Sequence, residues 1–453
     1  MSANTGVVTH GGATHEVNQY YDSVVVQLPG TGHTKTTKYC FLSKVDPWPD
    51  ENNPPVPTLD QIALKKTYKN MFVIKRVLPS DMRPMTDRFD WKTGVVFDQY
   101  RDDIDMNQRD ANGRLIKKYY AKNLYDQVFK CLWNNNGVVS TDMPYFQPGY
   151  MSSNNIYTGA DGYKWVYLYT IDASSKQKFL MEDWMPTPLA NTAGIGVTTV
   201  NSGNVPIVGV INKGSGYFAS NTTIKITGAS SKTATAIPTI VSGQIQDIVV
   251  TDPGLNYISA NVEIISPTGS GASAVAYVSP VGGHGTDPFE EFGTAHIIVT
   301  STFTQDEAGV VPTDINYRQI GFIINPVALS AYPYQCENNI YSTTTDLVVS
   351  TGFDAYISDE IVYQGTDLAN ATFTATCLSF DSSNNLIRLI NTTGNANTSA
   401  SLIGDTTKTV RTVLNVTTPD FIPYSGYITY IENRAGTQRS PDGTEQVRLI
   451  VGF

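Results

Sequence analysis

The sequence predicts a mainly β protein, and the prediction rests on aromatic content, turn-forming residues and low charge. The chain has 453 residues, including 26 Tyr, 36 Gly and 24 Pro, and charged residues make up only 16%. About a quarter of residues are charged in an ordinary globular domain, so this chain is poor in charge. Short strands joined by tight turns produce such a composition. The length exceeds one simple core, so about two to four domains are expected.

Short apolar or alternating runs predict the strands of a main body. These runs cover residues 24–28, 38–42, 71–78, 128–132, 165–171 and 447–451. We expect the last run to pair back into the body. The first residues, 1–22, are polar and rich in Gly, and they predict an N-terminal arm.

A proline-rich loop and short helices are predicted between these strands. Residues 46–57 contain five Pro, which remove backbone donors and fix φ, so an extended loop anchored by Trp48 is expected. Thr58 followed by Gln61 is a capping-box pattern and predicts a helix over 59–69. Residues 99–114 are dense in charge and predict a solvated loop. A further short helix or turn is predicted over 176–181.

An internal repeat with a period of 40 residues occupies 205–280. Three pairs of identical residues show it: Gly214 and Gly254, Tyr217 and Tyr257, and Ala234 and Ala274. Each copy reads as an apolar strand, a Gly-x-x-Tyr turn, an alternating strand, a Gly/Ser turn and an Ala-alternating strand. Two copies are too few for a long array, so one small β domain made of two related halves is expected.

A second β segment is predicted over 350–415. Four short strand-like runs, separated by Asn, Gly and Ser, cover residues 359–365, 372–378, 386–390 and 402–404. Such spacing predicts a small barrel or an open sandwich. Between the repeat and this segment, the Gly-rich linker 282–288 marks the return to the main body.

Charge and patterning exclude several classes of function. The net charge is −10 and no basic run occurs, which argues against a nucleic-acid-binding surface. No signal-peptide pattern opens the sequence, and no apolar stretch approaches the length of a membrane span. Four cysteines lie far apart without paired spacing and are expected to be reduced thiols: Cys40, Cys131, Cys336 and Cys377.

No pattern of catalytic or metal-binding residues is complete. Residues 103–107 imitate the start of a calcium loop, but Gln108 and Arg114 stand where Gly and Glu are required. The five His lack a second ligand at zinc spacing. The carboxylate pairs 182–183 and 290–291 are interpreted as polar residues at element ends. The sequence therefore predicts no enzyme, no cofactor and no metal.

The aromatic residues leave two interpretations. They line a sugar-binding face, or they fill sandwich cores and subunit interfaces; their strand-like alternation favours the second. Candidates for an interface or structural role are Trp48, Trp91, Trp165, Trp184, Tyr317, Arg318 and Arg434. Arg318 either pairs with a carboxylate inside the fold or crosses an interface, and the sequence leaves both open.

Eight blocks of sequence, taken in order, resemble one family. They cover residues 39–48, 77–80, 88–91, 128–132, 161–167, 184–186, 317–333, and 430–434 continuing to 451–453. The most informative block is 317–333, in which an apolar run follows Arg318 and Gln319 and stops at Asn325. Together the blocks resemble the baseplate wedge protein, of the type called gene product eight, of T-even-like contractile-tailed bacteriophages. Two stretches depart from the family pattern, 196–285 and 350–415, and look like insertions.

The resemblance implies an architecture and a role. The expected body is a β-sandwich-like fold assembled from 23–195, 286–349 and 416–453, with two inserted small β domains and a few short helices. The implied function is that of a structural virion protein in the tail baseplate, assembled in the host cytoplasm and rearranged on contraction. The implied partners are other wedge proteins and a second copy of the chain, with fibre or peripheral baseplate proteins at the insertions.

The sequence leaves two other functions open. A receptor- or carbohydrate-binding tail protein would use the insertions as recognition modules. A cell-wall hydrolase would need two carboxylates converging across a cleft, and the sequence offers no such pair.

Overall fold

The structure, a computed structural model, describes residues 36–148, 155–188, 203–305, 307, 309–332 and 334–452. Strands make up 44% and helices 7%, so the predicted mainly β class is confirmed. The arm predicted over 1–22 and the strand predicted over 24–28 lie outside the described residues. Within the described ranges, no helix is long and apolar enough to cross a membrane.

The strands are short and run through the whole described chain. In the first half they are β1 (Lys38–Ser43), β2 (Met71–Arg76), β3 (Met82–Asp87), β4 (Tyr120–Lys122), β5 (Gln127–Trp133), β6 (Ile156–Thr158), β7 (Lys164–Thr170), β8 (Trp184–Pro186), β9 (Val208–Ser215), β10 (Thr223–Thr227), β11 (Thr235–Val241) and β12 (Gln244–Asp252). In the second half they are β13 (Asn261–Ile265), β14 (Ser270–Ala276), β15 (His296–Thr304), β16 (Asn316–Ile324), β17 (Ile340–Ser342), β18 (Thr345–Val349), β19 (Ile361–Gln364), β20 (Phe373–Asp381), β21 (Leu386–Gly394), β22 (Ser401–Gly404), β23 (Val410–Thr417), β24 (Tyr427–Gln438) and β25 (Thr444–Gly452). The helices are α1 (Gln61–Asn70), α2 (Ala173–Phe179) and α3 (Pro288–Glu291).

The described chain divides into two compact units. The first unit contains residues 83–298 and 450–452, and the second contains 36–82 and 299–449.

An antiparallel five-stranded sheet forms the base of the second unit, in the order β17-β2-β1-β16-β24. Every residue of β1 is buried, as expected of a central strand covered on both faces. Tyr39 lies opposite Ile323 on β16, and both side chains belong to the apolar core of this sheet. The strands predicted over 38–42 and 71–78 are confirmed.

The α1 helix begins two residues later than predicted, and its cap is a different residue. Asp60 Oδ1 accepts from the backbone N–H groups of Ile62 and Ala63, each at 2.9 Å. Thr58 instead donates its hydroxyl to Asp60. A carboxylate next to the free N–H groups satisfies them better than a hydroxyl two residues earlier, so the predicted Thr58 capping box is wrong.

A closed six-stranded barrel completes the second unit, in the cyclic order β18-β21-β20-β19-β22-β23. The sequence predicted four of these strands and missed β18 and β23. Both lie at or beyond the edges of the predicted segment, and both are needed to close the barrel. Alternate residues point inwards, so the core contains Leu347, Val362, Leu389, Leu402 and Val413.

The first unit contains a four-stranded antiparallel sheet in the order β4-β5-β7-β6. All seven residues of β5 are buried, because apolar clusters pack on both faces of the sheet. The strands predicted over 128–132 and 165–171 are confirmed. The short helix or turn predicted over 176–181 is a helix, α2, that begins earlier, because Asp172 caps it by accepting from Ser175 N.

The two repeat copies interlock in the first unit. The first copy supplies β9, β10 and β11, and the second supplies β12, β13 and β14. The sheets run β11-β12-β9-β14 and β10-β13, so every strand pairing joins one copy to the other. A single apolar core fills the space between them. Neither copy has a complete sheet by itself.

The Gly-x-x-Tyr turns explain why the repeat keeps glycine. Gly214 and Gly254 have φ of +59° and +66°, a region that L side chains rarely adopt. A Cβ on either glycine would lie 2.7 Å or less from the ring of the tyrosine three residues later. Each glycine therefore permits both the turn and the close packing of Tyr217 or Tyr257.

Candidate interaction surface

Five large apolar side chains project from one part of the second unit. They lie in two segments, 325–335 after β16 and 419–427 leading into β24. Their exposed fractions lie between 49% and 72%, and they are Leu329, Tyr332, Tyr334, Tyr424 and Tyr427. We call this set the tyrosine platform. Large apolar groups exposed on neighbouring segments mark candidate interaction sites on proteins.

Backbone and side-chain hydrogen bonds brace the two platform segments against each other. Leu329 N donates to Asp420 O at 2.6 Å, and Ile422 N donates to Val327 O at 2.9 Å. The Asp420 carboxylate also accepts from the N–H and the hydroxyl of Ser330. The exposed side chains therefore stand on a fixed backbone.

The ring of Tyr68 supports the platform from α1. Its centroid lies 5.5 Å from that of Tyr424, and its hydroxyl donates to the carbonyls of Ser425 and Gly426. Burial raises the pKa of Tyr68 to about 12, so the phenol stays protonated and remains a donor.

A glutamate brings three of the candidate residues of the sequence together. Arg318 Nε donates to Glu51 Oε1 at 2.7 Å, and the same oxygen accepts from Trp48 N. The indole of Trp48 donates to the carbonyl of Arg434 at 2.7 Å. The other Glu51 oxygen accepts from Gly436 N. We call this group the Glu51 clamp. Arg318 thus pairs with a carboxylate inside the fold, which is the first of the two roles that the sequence leaves open for it.

The remaining candidates lie inside the two units. Trp165 is fully buried and stacks on Tyr163. Trp91 donates to the hydroxyl of Ser140. Trp184 packs against the ring of His296 at 4.4 Å. Tyr317 is buried on β16, and burial raises the pKa of its phenol.

The first unit contains a buried ionic group that no pattern in the sequence predicts. Lys130 Nζ and His284 Nδ1 lie 2.6 and 2.7 Å from Glu291 Oε1. Burial alone would favour the neutral acid, but the two neighbours hold the pKa of Glu291 at about 2. Burial and the Lys130 charge lower the pKa of His284. Glu291 was interpreted as a polar residue at an element end, and no sequence spacing links it to Lys130.

The charged segment 99–114 forms no strand or helix, as predicted, yet it is not wholly solvated. Arg109 and Arg114 both pair with the carboxylate of Asp87, which is buried. A buried carboxylate requires such partners. In the described ranges, no group of three or more His, Cys, Asp or Glu side chains is placed to hold a metal ion.

Comparison with models of known protein families finds no match for this chain. A comparison with curated proteins also finds no significant match.

Proposed function

We propose that this chain is a structural subunit of a contractile-tail baseplate wedge. The observation that carries the proposal is the tyrosine platform. Its segment 325–335 belongs largely to the sequence block 317–333, which gives the family resemblance most of its weight. Its second segment leads directly into the C-terminal block of the resemblance.

The chemistry of the platform suits a protein partner. Tyrosine offers a large apolar area together with a polar hydroxyl, and it is enriched at protein interfaces. Because hydrogen bonds fix the backbone of both segments, little main-chain freedom is lost when a partner binds. The low charge of the chain, 16%, also favours extensive contact with other subunits.

In this proposal the platform contacts a neighbouring wedge protein or a second copy of the chain. The other regions are expected to serve the same assembly, with the repeat domain and the barrel available to fibre or peripheral proteins. Rearrangement on sheath contraction would then proceed through exchange of such interfaces.

The first test is mass spectrometry of purified virions compared with detached baseplates. We expect the chain in the baseplate fraction at a fixed ratio to the other wedge proteins. Its presence only in fibre or spike fractions would reject the wedge role and favour the alternative, a receptor- or carbohydrate-binding tail protein.

A second test addresses the platform itself. The double substitution Tyr332→Ser with Tyr427→Ser should reduce incorporation into baseplates strongly while the melting temperature stays unchanged, since both side chains are exposed. The matched control is Tyr125→Ser, a tyrosine outside the platform with 59% exposure. If the double variant and the Tyr125→Ser control were incorporated equally, the platform would not be part of the interface.

A further inference from the structure

A cavity of about 580 Å³ opens beside the tyrosine platform in the second unit. Its walls come from the barrel strands β18, β20, β21 and β23, from the end of α1 and from residues 418–424. Ligand sites for small molecules have volumes of roughly 300–1,000 Å³, and this cavity falls within that range.

The floor of the cavity is apolar, and one wall is aromatic. Phe373, Leu389, Ile390 and Phe421 lie beneath the floor and are almost completely covered, and Leu329, which is exposed, adds accessible apolar surface. Tyr424 lines the wall with about half of its surface exposed. An aromatic ring beside an apolar floor can accept the flat C–H face of a sugar ring, which is the less polar side of a pyranose.

The rim is polar but almost without charge. Amides and hydroxyls line it, from Asn391, Thr392, Asn395 and Thr418. Lys69 is the one charged residue among those that line this cavity. Neutral donors and acceptors without carboxylates or a cationic cluster match a ligand rich in hydroxyls, and they do not match a phosphate or a metal ion.

One polar group of the lining has no hydrogen-bond partner within the described part of the chain. The hydroxyl of Thr343, which lines the cavity, is buried and makes no hydrogen bond there. A buried hydroxyl without a partner costs free energy. A ligand hydroxyl at this position would satisfy it.

Tyr424 occupies an unusual backbone conformation at this site. Its φ is +63°, which is rare for a bulky side chain. Neighbouring hydrogen bonds maintain the turn, since the Ser425 N–H and hydroxyl both donate to the carbonyl of Ile422. Residues kept in such conformations concentrate at ligand sites.

We propose that this cavity binds a neutral pyranose unit of an oligosaccharide. The ring of Tyr424 and the side chain of Leu329 take the C–H face, and Thr343, Asn391 and Asn395 bond to the hydroxyls. The inference goes beyond the wedge role. Because Leu329 and Tyr424 belong both to the platform and to the lining of the cavity, the sugar site is tested on the free chain.

The test uses the full chain and neutral disaccharides as probes: cellobiose, maltose and N,N′-diacetylchitobiose. Titration calorimetry and saturation-transfer NMR should detect binding of at least one probe. A tetrasaccharide of the same sugar, added in parallel, should bind more tightly if the site takes an internal unit and equally if it takes the terminal one.

Variants locate the binding. Tyr424→Ala and Asn395→Ala should each weaken binding by about fivefold or more, as expected for a lost stacking surface or hydrogen bond. Thr392→Trp should abolish binding by filling the cavity, with circular dichroism confirming the fold. Tyr427→Ala is the matched control, because Tyr427 belongs to the platform and does not line the cavity. The affinity of this variant for the sugar should equal that of the unsubstituted chain.

Absence of binding to all three disaccharides would overturn the proposal. Binding that survives both Tyr424→Ala and Thr392→Trp would also overturn it, since the sugar would then sit elsewhere. Apolar peptides that bind while the sugars do not would assign the cavity to a protein partner instead. None of these results depends on whether the chain is found in the baseplate fraction.

Discussion

Arg318 Nε and Glu51 Oε1 lie 2.7 Å apart, although 267 residues separate them in the chain. The ion pair links β16, at the centre of the five-stranded sheet, to the proline-rich loop 46–57. The guanidinium is largely buried, with 10% of the side chain exposed. Because the same carboxylate also accepts two backbone N–H groups, one side chain fixes a loop that has no regular structure of its own.

The first prediction concerns the pH dependence of this ion pair. The Arg318 guanidinium, with the N–H groups of Gly436 and Trp48, lowers the pKa of Glu51 below its usual value of 4.5. A lowered pKa means that the stabilisation is complete above the unfolded-state pKa and is lost as pH falls through the folded-state pKa. Glu51→Gln should therefore lower the melting temperature by a few degrees at pH 7, and the difference should shrink as pH falls below about 4.

The control for that measurement is Asp46→Asn. Asp46 pairs with Lys66 at 2.8 Å, but both side chains are exposed, and such pairs contribute little. The melting temperature of Asp46→Asn should equal that of the unsubstituted chain at every pH. If both substitutions changed the melting temperature equally, the Glu51 clamp would contribute no more to stability than an exposed ion pair.

The second prediction concerns the buried group of Lys130, Glu291 and His284. Glu291→Gln removes the counter-charge of a lysine that is 1% exposed, and the loss should be about 3–5 kcal/mol. Replacing the pair together, as Lys130→Met with Glu291→Leu, should recover most of that loss, because no charge then remains buried alone. Urea unfolding of the unsubstituted chain, Lys130→Met, Glu291→Leu and the double variant gives the coupling free energy.

Glu290→Gln is the control in this series. Glu290 is exposed and adjacent in sequence, so a change of no more than about 0.5 kcal/mol is expected. If the double variant were as unstable as Glu291→Gln, the loss would not come from leaving the buried charge of Lys130 without a counter-charge.

The third prediction concerns the tyrosines of the repeat. Tyr257 OH accepts from Ala234 N at 2.7 Å, and Tyr217 OH accepts from Ala272 N at 3.1 Å. Each bond joins one copy to the other. Tyr257→Phe leaves the N–H of buried Ala234 without its partner and should cost about 1–3 kcal/mol.

Tyr217→Phe should cost less, because Ala272 is only partly buried and water can replace the hydroxyl. Tyr427→Phe serves as the control, as its side chain is 72% exposed and should tolerate the change. Thermal unfolding of the three variants provides the comparison. A larger loss for Tyr217→Phe than for Tyr257→Phe would contradict this ranking.

The fourth prediction concerns thiol reactivity. All four cysteines are buried and free, and burial raises the pKa of Cys40, Cys336 and Cys377 to about 12. Since the thiolate is the reactive form, the folded protein should react only slowly with Ellman's reagent at pH 8. In denaturant all four thiols should react quickly. A thiol that reacts quickly in the folded protein would show that the structure around it opens readily.

Local sequence was sufficient for many of the strands. The sequence predicts β1, β2, β5 and β7 because their apolar residues form the short runs that are typical of buried strands. The 40-residue repeat can also be recognised in the sequence. A turn with positive φ against a tyrosine ring needs glycine, so Gly214 and Gly254 recur at the same place in each copy. The wedge-family role itself stays a prediction for the virion experiments.

The sequence by itself therefore determined the β class, most of the strands and the two copies of the repeat, because these depend on periodicity and turn chemistry over a few residues. Only the tertiary structure decided that the copies interlock strand by strand, that β18 and β23 close the barrel, and that Glu51 meets Arg318. It also decided which tyrosines are exposed. The physical reason is that partners distant in sequence are chosen by packing and by the need to satisfy buried charges, and neither leaves a local pattern in the chain.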